Sequence, residues 1–302
     1  MEIRQAEERD IPAIVELLKL SLGESLMPKS EAFWRWKHLD NPFGKSPVLL
    51  AFVSKQLVGV RAFMRWEWRQ GERIYKAVRA VDTATHPQFQ GRGIFRKLTL
   101  ELVHQCRQEG IDFIFNTPNK KSKPGYLSMG WIELGRLAVN VRPILRFSKK
   151  VSAGFQENFK WQSETLDKIT IRSSSQAIIT HYKAGFFQWR YGANPNAQYY
   201  LAGDESAGLF LIFRLKQHRF GNEFRVVDSV TTEGNSRYTH CELLRQAVNQ
   251  SGARLVTMAG DYSIPTFLSM KVGPTVTTKS LNLNKTLSFS FWKPSLGDME
   301  IF

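Results

Sequence analysis

From Thr85 to Leu98 the chain reads Thr-His-Pro-Gln-Phe-Gln-Gly-Arg-Gly-Ile-Phe-Arg-Lys-Leu. A strand-like run passes into a helix-like run through a turn that carries two glycines and several cations. The chemistry such a turn supports is anion binding. Glycine lets the backbone approach a ligand closely, successive amides point toward it, and the helix N-terminus adds its positive end. The helix dipole contributes about 0.3–1 kcal/mol at an exposed end, so Arg92, Arg96 and Lys97 must supply much of the attraction. The turn is not a dinucleotide fingerprint, because Arg96 stands where the third glycine of G-x-G-x-x-G belongs. The P-loop pattern is absent as well.

The elements around this turn follow from periodicity. Apolar residues at helical spacing (Ile11, Ile14, Val15, Leu17, Leu18) predict a helix from Glu8 to Leu22, with Asp10 as N-cap and Pro12 in its first turn. Ser30 can cap a second helix through Phe33 and Trp36. Val48–Val53 and Leu57–Trp68 read as strands joined near Ser54–Gln56, and Ile74–Thr85 as another strand. Ile94–Glu109 reads as a helix with Leu98, Leu100, Leu102 and Val103 inward, stopped by Gly110. Ile111–Asn116 follows as a strand and Pro124–Met129 as a short helix. The sum is an α+β fold, a mainly antiparallel mixed sheet flanked by helices.

The order of motifs then repeats. Phe33–Pro42 matches Phe186–Pro195 at an offset of 153, and Val81-Asp82-Thr83 matches Val227-Asp228-Ser229 at 146. Gln108–Gly110 matches Gln250–Gly252 at 142, and Tyr126–Met129 matches Phe267–Met270 at 141. Four matches in order, with a shrinking offset, imply a duplicated domain whose second copy has lost loop residues. Residues 1–148 and 165–302 are expected as the two domains, joined by a linker near Ser148–Gly154.

Composition bounds the partners. Of the net charge of +15, residues 1–150 hold 26 Lys and Arg against 15 Asp and Glu. That concentrates positive field on the first half and favours an anionic ligand. No helix-turn-helix, zinc finger or RNP motif supports nucleic acid as the partner. The apolar runs are too short for a membrane span, the N-terminus lacks a signal-peptide core, and two cysteines make neither a disulfide framework nor a zinc site. A cytoplasmic setting without metal is expected.

Gln90-Gly91-Arg92-Gly93-Ile94-Phe95 resembles the pyrophosphate loop of the GNAT acyltransferases, Gln/Arg-x-x-Gly-x-Gly/Ala, with Phe95 at the last place. A bulky residue there is similar to the tandem, Eis-like branch. Asn119-Lys120-Lys121-Ser122-Lys123-Pro124-Gly125-Tyr126-Leu127-Ser128-Met129-Gly130-Trp131 resembles the family's Asn-x-x-Ala-x-x-x-Tyr-x-x-x-Gly-Phe. The resemblance implies two tandem GNAT folds and acetyl-CoA or another acyl-CoA as co-substrate. The loop from Gln90 through Phe95, with Arg96, would hold the pyrophosphate. Asn119 and Ser122 would meet the pantetheine arm, with Thr83, Ala84 and Thr85 offering backbone groups to its amides. Tyr126 would protonate the departing thiolate; a hydroxyl within about 3 Å eases that expulsion.

The acceptor implied is the primary amine of a small molecule, attacking the thioester directly. Asp82, on the strand before the loop, is the leading candidate to take the amine's proton, alone or through water; Glu67 and His86 are weaker. Asp228 at the matching place in the second copy argues for a structural Asp82. Trp34 and Trp36 lie where the family holds its acceptor, although recurrence of their run favours a scaffold role. An acidic acyl carrier protein is an alternative donor, and a non-catalytic acyl-CoA-binding module an alternative function. The second copy has Glu233-Gly234-Asn235-Ser236 in place of the glycine loop and Phe267 matched to Tyr126, so only the first copy is expected to be catalytic.

Overall fold

The computed structural model describes residues 1–23, 27–144, 177–204, 209–218, 221–231, 237–259, 268–270 and 272–299. The linker Ser148–Gly154, Glu233–Ser236 and Phe267 lie outside them.

The first half runs β1 (Glu2–Gln5), α1 (Ile11–Leu22), α2 (Glu31–His38), β2 (Val48–Val53), β3 (Gln56–Gln70), β4 (Arg73–Thr85), α3 (Ile94–Gln108), β5 (Phe113–Asn116), α4 (Lys123–Ser128), β6 (Ile132–Arg136) and β7 (Val139–Pro143). The second half runs β8 (Ile179–Thr180), a short helical segment at Gln188–Gly192, β9 (Tyr200–Asp204), β10 (Leu209–His218), β11 (Gly221–Thr231), α5 (Arg237–Ser251), β12 (Leu255–Ala259), β13 (Leu268–Met270), β14 (Thr275–Ser280) and α6 (Leu296–Met299).

The local signals act as the residues suggest, except that Asp10 makes no side-chain cap bond to α1, because its carboxylate is taken by Arg4 and the Glu7 amide. Ser30 Oγ accepts from the Phe33 amide at 3.1 Å and so caps α2. Ser54 and Lys55 take positive φ (48° and 68°) to turn β2 into β3. Gly110 and Gly252 end α3 and α5 with φ of 75° and 64°, the left-handed conformation that glycine adopts without a Cβ penalty. One inward residue is corrected. Leu100 is 38% exposed, because the buried stripe of α3 runs through Ile94, Leu98, Leu102, Val103 and Cys106 and position 100 turns away from it.

Two sheets result. The first has strand order β1-β2-β3-β4-β5-β14-β6, with β8 also on β3; the second has β13-β7-β12-β11-β10-β9. In both, the central parallel pair (β4 with β5, β11 with β12) is flanked by antiparallel partners. The sequence order does not foretell the exchange between them. β14, from the second half, lies between β5 and β6, while β7, from the first half, lies between β12 and β13. Each sheet is therefore completed by a strand of the other half.

The repeats meet at the junction. Trp36 and Trp189 stack at 5.3 Å, and they sit with Phe33, Phe43, Trp66, Phe186 and Tyr191 in one aromatic core shared by both halves. The match of Tyr126–Met129 with Phe267–Met270 is not a structural equivalence. Residues 123–128 form a helix, whereas 268–270 form a strand whose topological counterpart is β6.

Candidate active site

β3 and β4 pair along their whole length, to Gly59 opposite Thr85. β4 and β5 pair only from Ala77–Arg79 with Phe113–Phe115. Beyond Arg79 the pairing stops and β5 ends at Asn116, so residues 80–85 of β4 have no strand on that edge. The backbone of Thr83 and Thr85 borders this gap, and Ala84 packs toward α1. An extended ligand with amide groups could line such an edge as a substitute strand.

The anion turn closes one end of the gap. Gln90 Nε2 donates to the Thr85 carbonyl at 3.2 Å, tying the loop to the strand end. Gly91 and Gly93 take φ of 77° and 76°, and a Cβ on either would meet nothing within 4 Å. Backbone conformation, not crowding, is what demands glycine there. Gly91, Arg92, Gly93 and Arg96 are exposed at the N-terminus of α3, where the first amides of a helix lack intrahelical partners. Ile94 is buried under the sheet and anchors that end. Arg92 lies over the Phe89 ring at 4.9 Å, and Arg96 reaches the Ser128 carbonyl at 3.4 Å. Phe95 turns from the loop toward α4, edge-on to Tyr126 at 5.5 Å.

Asn119 Oδ1 accepts from the Lys121 and Ser122 amides and from Ser122 Oγ, at 2.9–3.1 Å. The pair therefore builds the turn into α4, leaving the Asn119 NH2 as the donor a ligand would meet. Tyr126 on α4 is 3% exposed, and its hydroxyl accepts from Arg61 Nη2 at 2.6 Å. Because the oxygen receives that bond, its own proton points elsewhere. Arg61, a fully buried residue of β3, was not among the residues singled out by sequence.

Asp82 stands on the opposite face of the sheet, with α1 and α2. Its φ is 35°, rare for a residue with a Cβ, and it marks the bulge where the β3–β4 register shifts between Arg61 and Ala62. Lys37 Nζ donates to Asp82 Oδ2 at 2.5 Å and His38 Nε2 meets the same oxygen at 2.9 Å. Burial alone would raise the Asp82 pKa; the Lys37 charge and the His38 hydrogen bond outweigh it and hold the carboxyl well below the usual carboxylate range. Burial lowers the pKa of Lys37 and of His38, against the pull of Asp82. Asp82, Lys37, Lys29, Ser30, Phe33 and Trp34 line a small pocket between α1 and α2.

Trp34 thus reaches a pocket, while Trp36 does not. The Trp36 indole N–H donates to the Trp189 carbonyl at 2.6 Å, which commits it to the junction of the two halves. Glu67 is bound by His181 and Lys183, and His86 Nδ1 accepts from the Gln88 amide. Neither faces the gap between β4 and β5 through these bonds. Arg79, at the vertex of the gap, donates to the carbonyls of Asp298 and Met299 at 2.5 and 2.7 Å and so seats α6 beside it.

In the second sheet Asp228 takes the place of Asp82, bound by the hydroxyls of Tyr182 and Tyr191 at 2.7 and 2.8 Å. The register shifts beside it, between Ile212 and Phe213, where Val227 is the residue left unpaired. The recurrence of a buried, hydrogen-bonded carboxylate beside the bulge is a scaffold feature common to both halves. No group of His, Cys, Asp and Glu among the described residues is placed to hold a metal, and no described helix is long and apolar enough to cross a membrane.

The arrangement has known counterparts. Residues 2–133 match the model of the acetyltransferase (GNAT) domain. No curated protein sequence matches the chain. Among solved structures, a probable N-acyltransferase from Enterococcus faecalis is similar with a TM-score of 0.71 at 10% identity, over 93% of this chain and 73% of that one. A GCN5-related N-acetyltransferase from Anabaena variabilis is similar with a TM-score of 0.64 at 15% identity, over 93% and 73%. Eis1 from Mycobacterium abscessus is similar with a TM-score of 0.59 at 12% identity, over 93% and 74%. These likenesses show the fold, and the domain match shows what residues 2–133 are similar to. Residues 2–133 thus match the GNAT acetyltransferase domain, and the fold of the chain is similar to that of Eis1.

Proposed function

We propose that the chain transfers an acyl group from acyl-CoA to the primary amine of a small molecule, by direct attack, in the 1–148 unit alone. The observation that carries this reading is the juxtaposition of the exposed glycine–arginine turn, the unpaired β4 edge and Tyr126, whose ring packs on Phe95 of that turn. The pyrophosphate would lie on the amides of Gly91–Phe95 with Arg92 and Arg96 beside it. The pantetheine arm would run along Thr83–Thr85 and past Asn119 and Ser122, with its thioester near Tyr126.

The acceptor would enter from the pocket at Asp82. Both bonds to that carboxylate fall on Oδ2, so Oδ1 is the oxygen left for an approaching ammonium. A carboxylate held so far toward its anion is a weak base. Its part is to draw and orient the amine, with the proton leaving through water. The nitrogen then attacks the carbonyl, the C–S bond breaks, and Tyr126 gives its proton to sulfur. The 165–302 unit would serve as support for the first.

Acyl-CoA turnover against a panel of amines, with Tyr126→Phe as control, tests the reading. The variant should lose about 10²–10⁴-fold in kcat, the usual contribution of a positioned acid. Full activity in that variant would remove Tyr126 from the mechanism, and no thermal shift with millimolar acetyl-CoA would remove the donor. The exposed Arg92, Arg96 and Lys97 also favour an acidic acyl carrier protein as donor. Comparing turnover with the holo-carrier thioester and with acyl-CoA separates the two.

A further inference from the structure

Arg61 is fully buried, yet it has no carboxylate partner among the described residues. Nη2 donates to the Tyr126 hydroxyl at 2.6 Å, while Nε and Nη1 are buried without any hydrogen-bond acceptor. Three aromatic rings enclose the guanidinium instead, those of Phe63 at 4.8 Å, Tyr126 at 5.3 Å and Phe95 at 5.5 Å. Buried arginines are ordinarily paired, because an uncompensated cation in a dry environment is destabilising. Among the described residues the one oxygen bound to the cation is the phenol, and no anion meets the charge in this box.

We propose that Arg61 is a positioning residue that stabilises the phenolate left when Tyr126 protonates the departing thiolate. This rests on Tyr126 as the proton donor. In that step the C–S electron pair goes to sulfur, the phenol O–H breaks, S–H forms, and the negative charge moves to the phenol oxygen. The proton released by the amine later restores the phenol through water. Amine and thioester thus become amide and thiol, with no other reactant.

Arg61 is needed because a phenol is ordinarily a weaker acid than an alkyl thiol, by about 1.5 units, so unassisted transfer runs uphill roughly 30-fold. A charge-assisted hydrogen bond already in place at the phenol oxygen offsets that deficit without reorganisation. The aromatic walls keep water from screening it. Phe95, the bulky residue at the last place of the anion-loop pattern, is one of those walls.

The test compares wild type, Arg61→Met, Arg61→Lys, Tyr126→Phe and the Arg61→Met/Tyr126→Phe pair, using acetyl-CoA and S-phenyl thioacetate as donors. Thiophenolate leaves without needing a proton. With acetyl-CoA, Arg61→Met should lower kcat/KM about 30-fold, and Arg61→Lys, which keeps a cation, should recover part of that loss. With the phenyl donor the two arginine variants should match wild type within about 3-fold. In the Tyr126→Phe background, Arg61→Met should add almost nothing.

An equal loss with both donors, or a full additional loss in the double variant, would overturn the proposal and leave Arg61 a structural residue. If Tyr126→Phe is slow but Arg61→Met is not, only this inference falls. If Tyr126→Phe keeps full activity, both fall together. Methionine suits an aromatic box, and Arg61→Lys with the phenyl donor still decides the matter if the methionine variant does not fold.

Discussion

The indole N–H of Trp36 donates to the Trp189 carbonyl at 2.6 Å, and the indole N–H of Trp189 donates to the Trp36 carbonyl at 2.7 Å. Two residues at an offset of 153 thus make the same bond to each other, as equivalent residues do across a two-fold axis. The recurrence of Phe33–Pro42 at Phe186–Pro195 is explained by this contact. Trp36→Phe should keep most of the ring packing but leave a buried carbonyl without its donor, costing about 1–3 kcal/mol. Trp36→Ala should cost about 3–5 kcal/mol. Urea unfolding of Trp36→Phe, Trp189→Phe and the pair checks it, and strict additivity would show that the two bonds do not act as a unit.

Gly59 holds the anion turn to the sheet. A Cβ at this position would come within 2.7 Å of Ile94 Cγ2 and 3.1 Å of Leu98 Cδ1, so Gly59→Ala must push α3 outward. Ile94 is the first residue of α3, and displacing it moves the amides that would face a pyrophosphate. The expected outcome is weaker CoA binding, by about 10-fold if some 1.4 kcal/mol is lost. Stability should fall by about 1–3 kcal/mol, as overpacking ordinarily costs. Calorimetric titration with CoA, beside a melting curve, reads both, and unchanged affinity would show that the turn tolerates a shift of α3.

How far these features were legible depends on their range along the chain. Gln90–Arg96 could be read because glycine, cation and helix start are local signals. The helix spacing around Leu98 was local too, though Leu100 was drawn inward by composition and lies on the outer face. Arg61 could not be found that way. An arginine in a strand is normally solvent-facing, and only the tertiary fold closes Phe63, Phe95 and Tyr126 around it. Asp82 was located by its strand, but its partners Lys37 and His38 arrive from α2, so its depressed pKa is a property of the packed structure. The exchange of β7 and β14 was hidden as well, since alternation marks a strand and not the sheet it joins.

Two buried groups give stability opposite slopes with pH. His38 has a pKa lowered by burial, which Asp82 only partly offsets. Its contribution is present above the unfolded value of about 6.5 and is lost as pH falls through the lower folded value. Asp228 is raised to about 7 by burial and by Asp298, against the hydrogen bonds of Tyr182 and Tyr191. Its contribution is present below the unfolded value of about 3.9 and is lost as pH rises through about 7. Asp228→Asn should therefore make stability climb more steeply from pH 5 to 8, and His38→Gln should make it decline. Urea midpoints across that range check the signs; profiles parallel to wild type would refute both.

The exchange of β7 and β14 also governs what happens when the chain is cut. Residues 1–148 alone would carry β5 and β6 without the strand that bridges them, and two open edges prone to aggregation. Either half expressed alone should be insoluble or unfolded, whereas the two co-expressed should assemble into one soluble species, measurable by size-exclusion chromatography. A folded, CoA-binding first half would contradict this. The half that lacks the glycine turn is thus not cargo that a lineage can discard. Losing either half would remove a rib from the sheet of the other, so the two must be kept together, whether on one chain or two.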